Sequence, residues 1–289
     1  MNKFLSFLGR RKRLMLLSLL LALIFLLGIV FFTSIPNRML SVVLPANSNM
    51  LKSKSGFSRK NLDSSSIKLL IWNVYKGKKK GWADDFQILM EAVDLGLLQE
   101  AYLDQKMSEV INVAGMGWDF AVSFDFGSAR VSTGVLTLSN TEPNWKQNVI
   151  SKYKEPIFHT PKVSLVTMYS LTGATNSLLV INTHAINFVG MRAFESQMYD
   201  LEALMKKHSG PIIFAGDLNI WREKRKRVVL EMANRLDLTA VVFRPDHRTS
   251  ILGNKLDHVF YRGLKVVDAS VLKNIDSSDH KPMIVSFSL

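Results

Sequence analysis

The chain has 289 residues, no cysteine, and a formal net charge of +13 from 37 Lys/Arg against 24 Asp/Glu. Absence of cysteine excludes disulfides, a cysteine nucleophile and zinc held through sulfur. A hydrophobic share of 47% excludes disorder as the main state, and the charge is concentrated: ten Lys/Arg and one acid, Asp63, precede Ile67, leaving about +4 for the rest.

Arg10, Arg11, Lys12 and Arg13 close a basic segment, 1–13, that runs into an uncharged apolar stretch, 14–35. Roughly 20 apolar residues match the hydrocarbon thickness of a bilayer, so 14–35 is expected to be a transmembrane helix. With the positive charge before it and only Arg38 close behind, the N-terminus belongs in the cytoplasm. The expected location is therefore the cell (inner) membrane, single-pass, with the remainder on the non-cytoplasmic side. Two alternatives stay open: secretion after signal cleavage, for which Thr33-Ser34-Ile35-Pro36 is a poor site, and a cytoplasmic-facing domain.

Residues 36–66 turn polar, with Asn47-Ser48-Asn49, Lys52-Ser53-Lys54 and Ser64-Ser65-Ser66, and read as a linker. From 67 to 289 short apolar runs alternate with amphipathic stretches. The pattern predicts strands near 67–74, 95–99, 118–124, 133–139, 163–171, 177–183, 211–216, 256–261, 264–272 and 282–288, and helices near 83–93, 103–114, 190–207 and 222–236. Many strands with few helices argue against a purely parallel doubly wound sheet and for an α+β domain of two packed sheets flanked by helices.

Five polar clusters share one arrangement, an apolar strand that ends abruptly in a chemically competent residue: Trp72-Asn73, Gln99-Glu100, Asn182-Thr183-His184, Gly216-Asp217-Leu218-Asn219, and Ser278-Asp279-His280 before the apolar run Met283-Ile284-Val285. Taken singly, each has an ordinary explanation. Glu100 could cap the following helix, Asp217 with Asn219 could make a turn, and a lone His184 is more often a satisfied polar residue than a catalyst. Strand ends converge at one rim of a sheet, however, so the five together point to one assembled site.

The order Trp-Asn, Gln-Glu, Asn-x-His, Gly-Asp-Leu-Asn, Leu-Asp-His and Ser-Asp-His resembles the endonuclease/exonuclease/phosphatase family, from about Ile67 to Leu289. Gly216-Asp217-Leu218-Asn219 with Ser278-Asp279-His280 is the specific pair of motifs. The resemblance implies a four-layer α/β/β/α sandwich of two mainly antiparallel sheets. It also implies proton transfer and water or phosphoryl positioning by Asp217 and Asn219, and an Asp257 that orients His280. The apurinic endonucleases of that family carry an acid where this chain has Tyr75 and a tyrosine where it has His184, so the likeness shifts toward the deoxyribonuclease, sphingomyelinase and phosphatase branches.

Phosphate-ester hydrolysis needs charge neutralised on the phosphoryl oxygens, a nucleophilic water and a stabilised leaving oxygen. Glu100 is the natural metal ligand, with Asp279 and the amide oxygen of Asn73 completing or supporting the site. Oxygen ligands favour Mg²⁺ (or Mn²⁺) over zinc. His184 and His280 are candidate donors to the phosphoryl oxygens, more effective if cationic; His258 receives no catalytic role. Lys76, Lys78, Lys79 and Lys80 after Asn73, and Arg222, Lys224, Arg225, Lys226 and Arg227 after Asn219, are either solvated charge or a steering surface for an anionic substrate. Interleaved stacking aromatics reduce to Trp82 and Trp221, which supports a single-strand groove poorly.

The expected activity is therefore divalent-metal-dependent hydrolysis of a phosphate ester: phospholipid headgroup, nucleic acid or soluble ester. Expected partners are that substrate and, through the N-terminal helix, the membrane; no protein partner is inferred. Two alternatives are a deoxyribonuclease-like endonuclease and a catalytically silent, membrane-tethered binding module of the same fold.

Overall fold

The computed structural model describes residues 42–43, 50–113 and 115–289. Segment 1–13 and the expected transmembrane helix 14–35 lie outside the described residues; among those described, no helix is long and apolar enough to cross a membrane. Val42–Phe126 and Arg130–Leu289 form one unit.

Its longer strands, in chain order, are β1 (Leu51–Lys54), β2 (Ile67–Asn73), β3 (Leu95–Tyr102), β4 (Gly117–Phe126), β5 (Val131–Ser139), β6 (Trp145–Ile150), β7 (Val163–Tyr169), β8 (Leu178–His184), β9 (Ile212–Asp217), β10 (Asp257–Arg262), β11 (Lys265–Val271) and β12 (Met283–Ser288). The helices are α1 (Trp82–Glu91), α2 (Gln105–Val113), α3 (Met191–Met205) and α4 (Glu223–Arg235). One sheet of eight strands runs β4-β5-β3-β2-β12-β11, with β1 and the short strand Val42–Val43 both paired to β4. A second sheet of six strands runs from Thr239–Ala240 through β10-β9-β8-β7-β6. Each sheet is mixed: β2 with β3 and β8 with β9 are parallel, and the other pairs are antiparallel.

The layers follow from the side-chain pattern. Strands β2, β3, β8 and β9 are apolar almost without interruption because both their faces are covered, as expected for central strands. Leu69, Ile71, Leu95 and Leu97 of the first sheet meet Val180, Ile213 and Val259 of the second to form the inter-sheet core. Leu70, Trp72 and Leu98 point the other way onto Trp82, Phe86 and Met107 of α1 and α2, while Ile181, Ile212 and Phe214 pack against Phe194, Met198 and Met232 of α3 and α4. Strand β12 shows the period of two directly, with Met283, Val285 and Phe287 entering the inter-sheet core and Ile284 facing the helices.

The linker reading of 36–66 needs correction. Its residues 51–54 form β1 on the first sheet, Leu62 is fully buried in the inter-sheet core, and bridges join Arg59 to Thr141 and Leu62 to Leu171. Polar composition concealed this because a short edge strand such as Leu-Lys-Ser-Lys buries little of its own surface. Strand β6, Trp-Lys-Gln-Asn-Val-Ile, was hidden for the same reason.

The outer helices are clamped by one acid. Glu202 of α3 accepts two hydrogen bonds of 2.8 Å from the Arg235 guanidinium and lies 2.9 Å from Lys206. The Arg235 hydrogen bonds are the largest cause that holds the Glu202 carboxyl at about 2, below its ordinary 4.5. Because Arg235 is itself 42% exposed, the pair is partly screened. Glu202→Gln is expected to cost about 1–2 kcal/mol at neutral pH, measured by denaturant unfolding. A carboxyl with a depressed folded value contributes stability above its unfolded value and loses it as pH falls toward the folded one. The gap between wild type and variant should therefore hold near pH 7 and shrink as pH falls from 4.5 to about 2.

Candidate active site

Register brings the motif residues together. Across β8, β9 and β10, Asp217 pairs with His184 on one side and with Asp257 on the other, so three competent side chains occupy one row at one rim of the second sheet. In the first sheet the facing row is Asn73 beside Gln99. The two rows touch: Asn73 Nδ2 donates to Asp217 Oδ2 at 3.0 Å. Just beneath, Gln99 Nε2 donates to Asn182 Oδ1 at 2.7 Å, and Asn182 Nδ2 donates to the carbonyls of Leu98 and Leu136. This buried amide pair bolts the sheets together below the site: both amide nitrogens and Asn182 Oδ1 are hydrogen-bonded, while Gln99 Oε1 is buried without a partner.

His280 arrives from the loop between β11 and β12. Ser278 fixes that loop by donating its hydroxyl to Asn73 O at 2.6 Å, and Lys79 Nζ donates to Ser278 O at 2.7 Å. His280 Nδ1 then meets Asp257 Oδ2 at 2.8 Å, leaving Nε2 toward Asp217 Oδ2 at 3.9 Å. Burial alone would lower the His280 imidazole, but Asp257, by charge and hydrogen bond, together with Asp217 and Asp279, raises it well above its ordinary value. His280 is an imidazolium at neutral pH, with the carboxylate of Asp257 setting its orientation.

Asp217 is the convergence point. Its Oδ2 faces Asn73, His184 Nε2 at 3.6 Å and His280, and its Oδ1 accepts from Asn219 N at 3.1 Å. Burial raises its carboxyl, and adjacent Asp257 pushes the same way against the opposing pull of His280. A carboxylate raised in this manner is the kind of base that takes a proton near neutral pH.

His184 is the weaker of the two candidate donors. Burial, then the charge of Lys162, lowers its imidazole well below the ordinary range, so it is neutral and offers a single N–H. Asn219 is placed at the same rim with φ of 50°; its Nδ2 donates to Ala185 O at 3.0 Å and its Oδ1 accepts from Asn187 Nδ2 at 2.7 Å. His258 is bonded to Lys255 O and Arg248.

Glu100 sits on a bulge. Strand β3 places Gln99 and Glu100 between Leu98 and Ala101 where β5 has only Val135, and Glu100 adopts φ of 53°. The extra residue turns the Glu100 carboxylate into a cavity of about 30 Å³ shared with His184, Lys76 and Lys162. Burial would raise this carboxyl; the positive charges of His184 when protonated and of Lys76 and Lys162, with the Lys76 hydrogen bond, outweigh it and hold it below its ordinary value. Lys76 Nζ lies 2.5 Å from Glu100 Oε2. Glu100 is thus an ionised carboxylate that already takes a cation as its partner, and Asn73 Oδ1 accepts only a long bond of 3.2 Å from Tyr75 N. These hard oxygens fit a divalent cation. Asp279 is exposed, with its carboxylate 3.3 Å from Ser278 Oγ, and does not join the buried group. Asp217, Asp257 and His280 also form a group whose ligand atoms lie within 4.8 Å of one another and could hold a metal, although His280 Nδ1 is committed to Asp257.

Several site residues escaped the sequence reading. Lys162 lies in a loop where no pattern marks it, held 3.5 Å from Glu155. Arg225, grouped with the steering charges, is 1% exposed and donates to the carbonyls of Ile186, Asn219 and Val189, so it braces the loop after His184 and does not face substrate. Trp82 is core, and the Trp221 ring is covered by the Arg222 guanidinium at 4.3 Å, so neither is a free stacking platform.

A profile of the Endonuclease/Exonuclease/phosphatase family matches residues 70–280. The UPF0294 protein VP2298 of Vibrio parahaemolyticus serotype O3:K6 is 40% identical over 229 residues, 78% of this chain and 79% of that protein. An endonuclease/exonuclease/phosphatase from Bacteroides vulgatus superposes with a TM-score of 0.62 at 12% identity, covering 78% of this chain and 99% of the other. The human Nocturnin catalytic domain, solved with a bound sulfate anion, superposes with a TM-score of 0.59 at 16% identity, covering 83% and 97%. At such identities the solved structures speak for the fold alone.

Proposed function

Because this chain belongs to the endonuclease/exonuclease/phosphatase family, whose members are typically metal-dependent phosphoesterases or nucleases, we propose that it hydrolyses phosphate esters by direct attack of water. The observation that carries this reading is the row His184–Asp217–Asp257 closed by His280 and facing Asn73. Glu100 and Asn73 would hold a divalent cation, Mg²⁺ or Mn²⁺ by the hardness of their oxygens. When bound, it would neutralise charge on the phosphoryl oxygens and the leaving oxygen.

The chain's own groups supply the rest. Asp217 accepts the proton of the attacking water, and its contacts with Asn73 and Asn219 N hold the carboxylate in one orientation. The His280 imidazolium offers Nε2–H to a phosphoryl oxygen, and neutral His184 offers a second donor beside it. Arg225 and Asn187 keep Asn219 and the loop after β8 in place.

The test is a panel of plasmid DNA, sphingomyelin vesicles and inositol phosphates, each assayed with Mg²⁺ and with chelator. Chelation is expected to abolish turnover, and Glu100→Gln to lower it about 100-fold or more at fixed Mg²⁺. Turnover that survives both changes would remove metal-assisted hydrolysis as the function. The apolar stretch 14–35 supports anchoring in the cell membrane, with the catalytic domain on the non-cytoplasmic side. Protease added to intact spheroplasts should then digest the domain; full protection would place it in the cytoplasm.

A further inference from the structure

We propose that the aromatic cleft beside the Glu100–His184 cavity binds the base of a nucleotide, so that the ester this protein cleaves belongs to a nucleotide or nucleic acid. The proposal rests on the phosphoesterase reading for its chemistry but not for its binding. The cleft measures about 130 Å³ and is lined by Tyr102, Phe124, Phe126, Thr133, Lys76 and Lys78. Lys76, Phe124 and Thr133 also line the cavity that contains Glu100 and His184, so the two spaces adjoin.

Register explains why the three rings gather there. Thr133 of β5 pairs with Tyr102 of β3 on one side and with Phe124 of β4 on the other, and Phe126 follows two residues along β4 on the same face. Neither ring would take this face in an unbroken ladder. On β3 the outward residue Leu98 is followed by the bulge at Gln99 and Glu100; on β4 the outward residues Phe120 and Val122 are followed by a second bulge at Ser123. One extra residue reverses the alternation, so Tyr102 and Phe124 turn to the side that carries the site. Gly134 sits between the bulges, and a Cβ there would lie 1.9 Å from Ala121 O. The same irregularity that aims Glu100 therefore builds the cleft.

Its chemistry selects among phosphate esters. Three aromatic side chains line a space that a flat ring can enter, and every base has a π-face to set against them. Lys76 and Lys78 line the same cleft; the Lys76 ammonium is shared with Glu100 at 2.5 Å, and Lys78 adds the positive charge that suits a phosphate next to the bound ring. That charge repels the quaternary ammonium of a choline headgroup. A space of about 130 Å³ holds a ring but not a pair of acyl chains. A bare sugar phosphate would leave its hydroxyls against rings, with Thr133 and Tyr102 as the polar partners.

Binding separates this idea from hydrolysis. In full-length Asp217→Asn protein with Mg²⁺, so that turnover is suppressed, calorimetry should give adenosine 5′-monophosphate an affinity about tenfold or more above that of ribose 5-phosphate. Phe124→Ala should erase most of that preference, Phe124→Tyr should keep it, and affinity for ribose 5-phosphate should stay within about twofold. Should Phe124→Ala melt early, Tyr102→Leu and Phe124→Leu carry the same comparison in a filled cleft. Equal affinity for the two ligands, or a preference unmoved by these substitutions, overturns the proposal. Tighter binding of a phosphocholine micelle that depends on Phe124 also overturns it, in favour of a lipid. A base preference without turnover of any ester would leave the cleft standing and remove the hydrolytic reading; turnover without a base preference would do the reverse.

Discussion

Asp217→Asn is expected to lower kcat by about 10³-fold or more on any ester the protein turns over, with little loss of stability. The substitution keeps the shape and removes the base. It also frustrates the local hydrogen bonds: Asp217 accepts from Asn73 Nδ2 through one oxygen and from Asn219 N through the other, and a carboxamide has one oxygen to offer. The thermodynamic sign runs opposite to the kinetic one. Burial holds the Asp217 carboxyl above its unfolded value, so keeping it ionised at neutral pH costs folding energy that a neutral amide does not. That relief offsets the lost acceptor, so the melting temperature should fall by no more than a few degrees, as is common where a site is kept at the expense of stability. Asp257→Asn acts through His280, whose orientation and charge depend on the 2.8 Å contact, and should cost about 10²–10⁴-fold. Both are read from kcat and thermal melting on the same preparations. An Asp217→Asn enzyme within tenfold of wild type would mean that another group takes the proton.

The site was readable because its residues interrupt apolar strands. Ile-Ile-Phe-Ala-Gly-Asp and Leu-Leu-Val-Ile-Asn-Thr-His have no reason to end in Asp and His unless the strand end is used, and β8 and β9 do carry both to one row. Continuous apolar runs likewise marked the central strands. What stayed hidden depends on contacts between distant segments. Edge strands β1 and β6 gain their hydrogen bonds from one neighbour and bury little, so no periodicity betrays them. Arg225 lies among five basic residues after Asn219 that are indistinguishable by composition from solvated helix, yet it is 1% exposed. The bulges at Glu100 and Ser123 are matters of registry, which a single strand does not encode. Lys76 and Lys162 meet Glu100 from separate loops, and their charge helps to lower the Glu100 carboxyl.

Gly216→Ala should damage both stability and rate, because this glycine determines how closely β9 approaches β8 one residue before the catalytic row. Gly216 pairs with Thr183 and has φ of 138°, which side chains rarely adopt; a Cβ there would lie 2.0 Å from Thr183 O. The obstructing atom is backbone at the centre of the sheet, so no rotamer relieves the clash. Strand β9 must move away from β8, breaking ladder hydrogen bonds and opening the inter-sheet core beside Ala215. The expected cost is about 3 kcal/mol or more by denaturant unfolding. The kinetic effect follows from the same displacement. Asp217 is the next residue, and its contacts of 3.0 Å to Asn73 and 3.6 Å to His184 span the two strands and the two sheets. A shift of about 1 Å there is enough to lower kcat about 100-fold in whatever fraction remains folded. Gly190→Ala provides the control: it precedes α3 with φ of −65°, and a Cβ meets nothing within 4 Å. That variant should stay within about 1 kcal/mol and keep its rate. If the two variants behaved alike, close approach at Gly216 would not be what sets the position of Asp217.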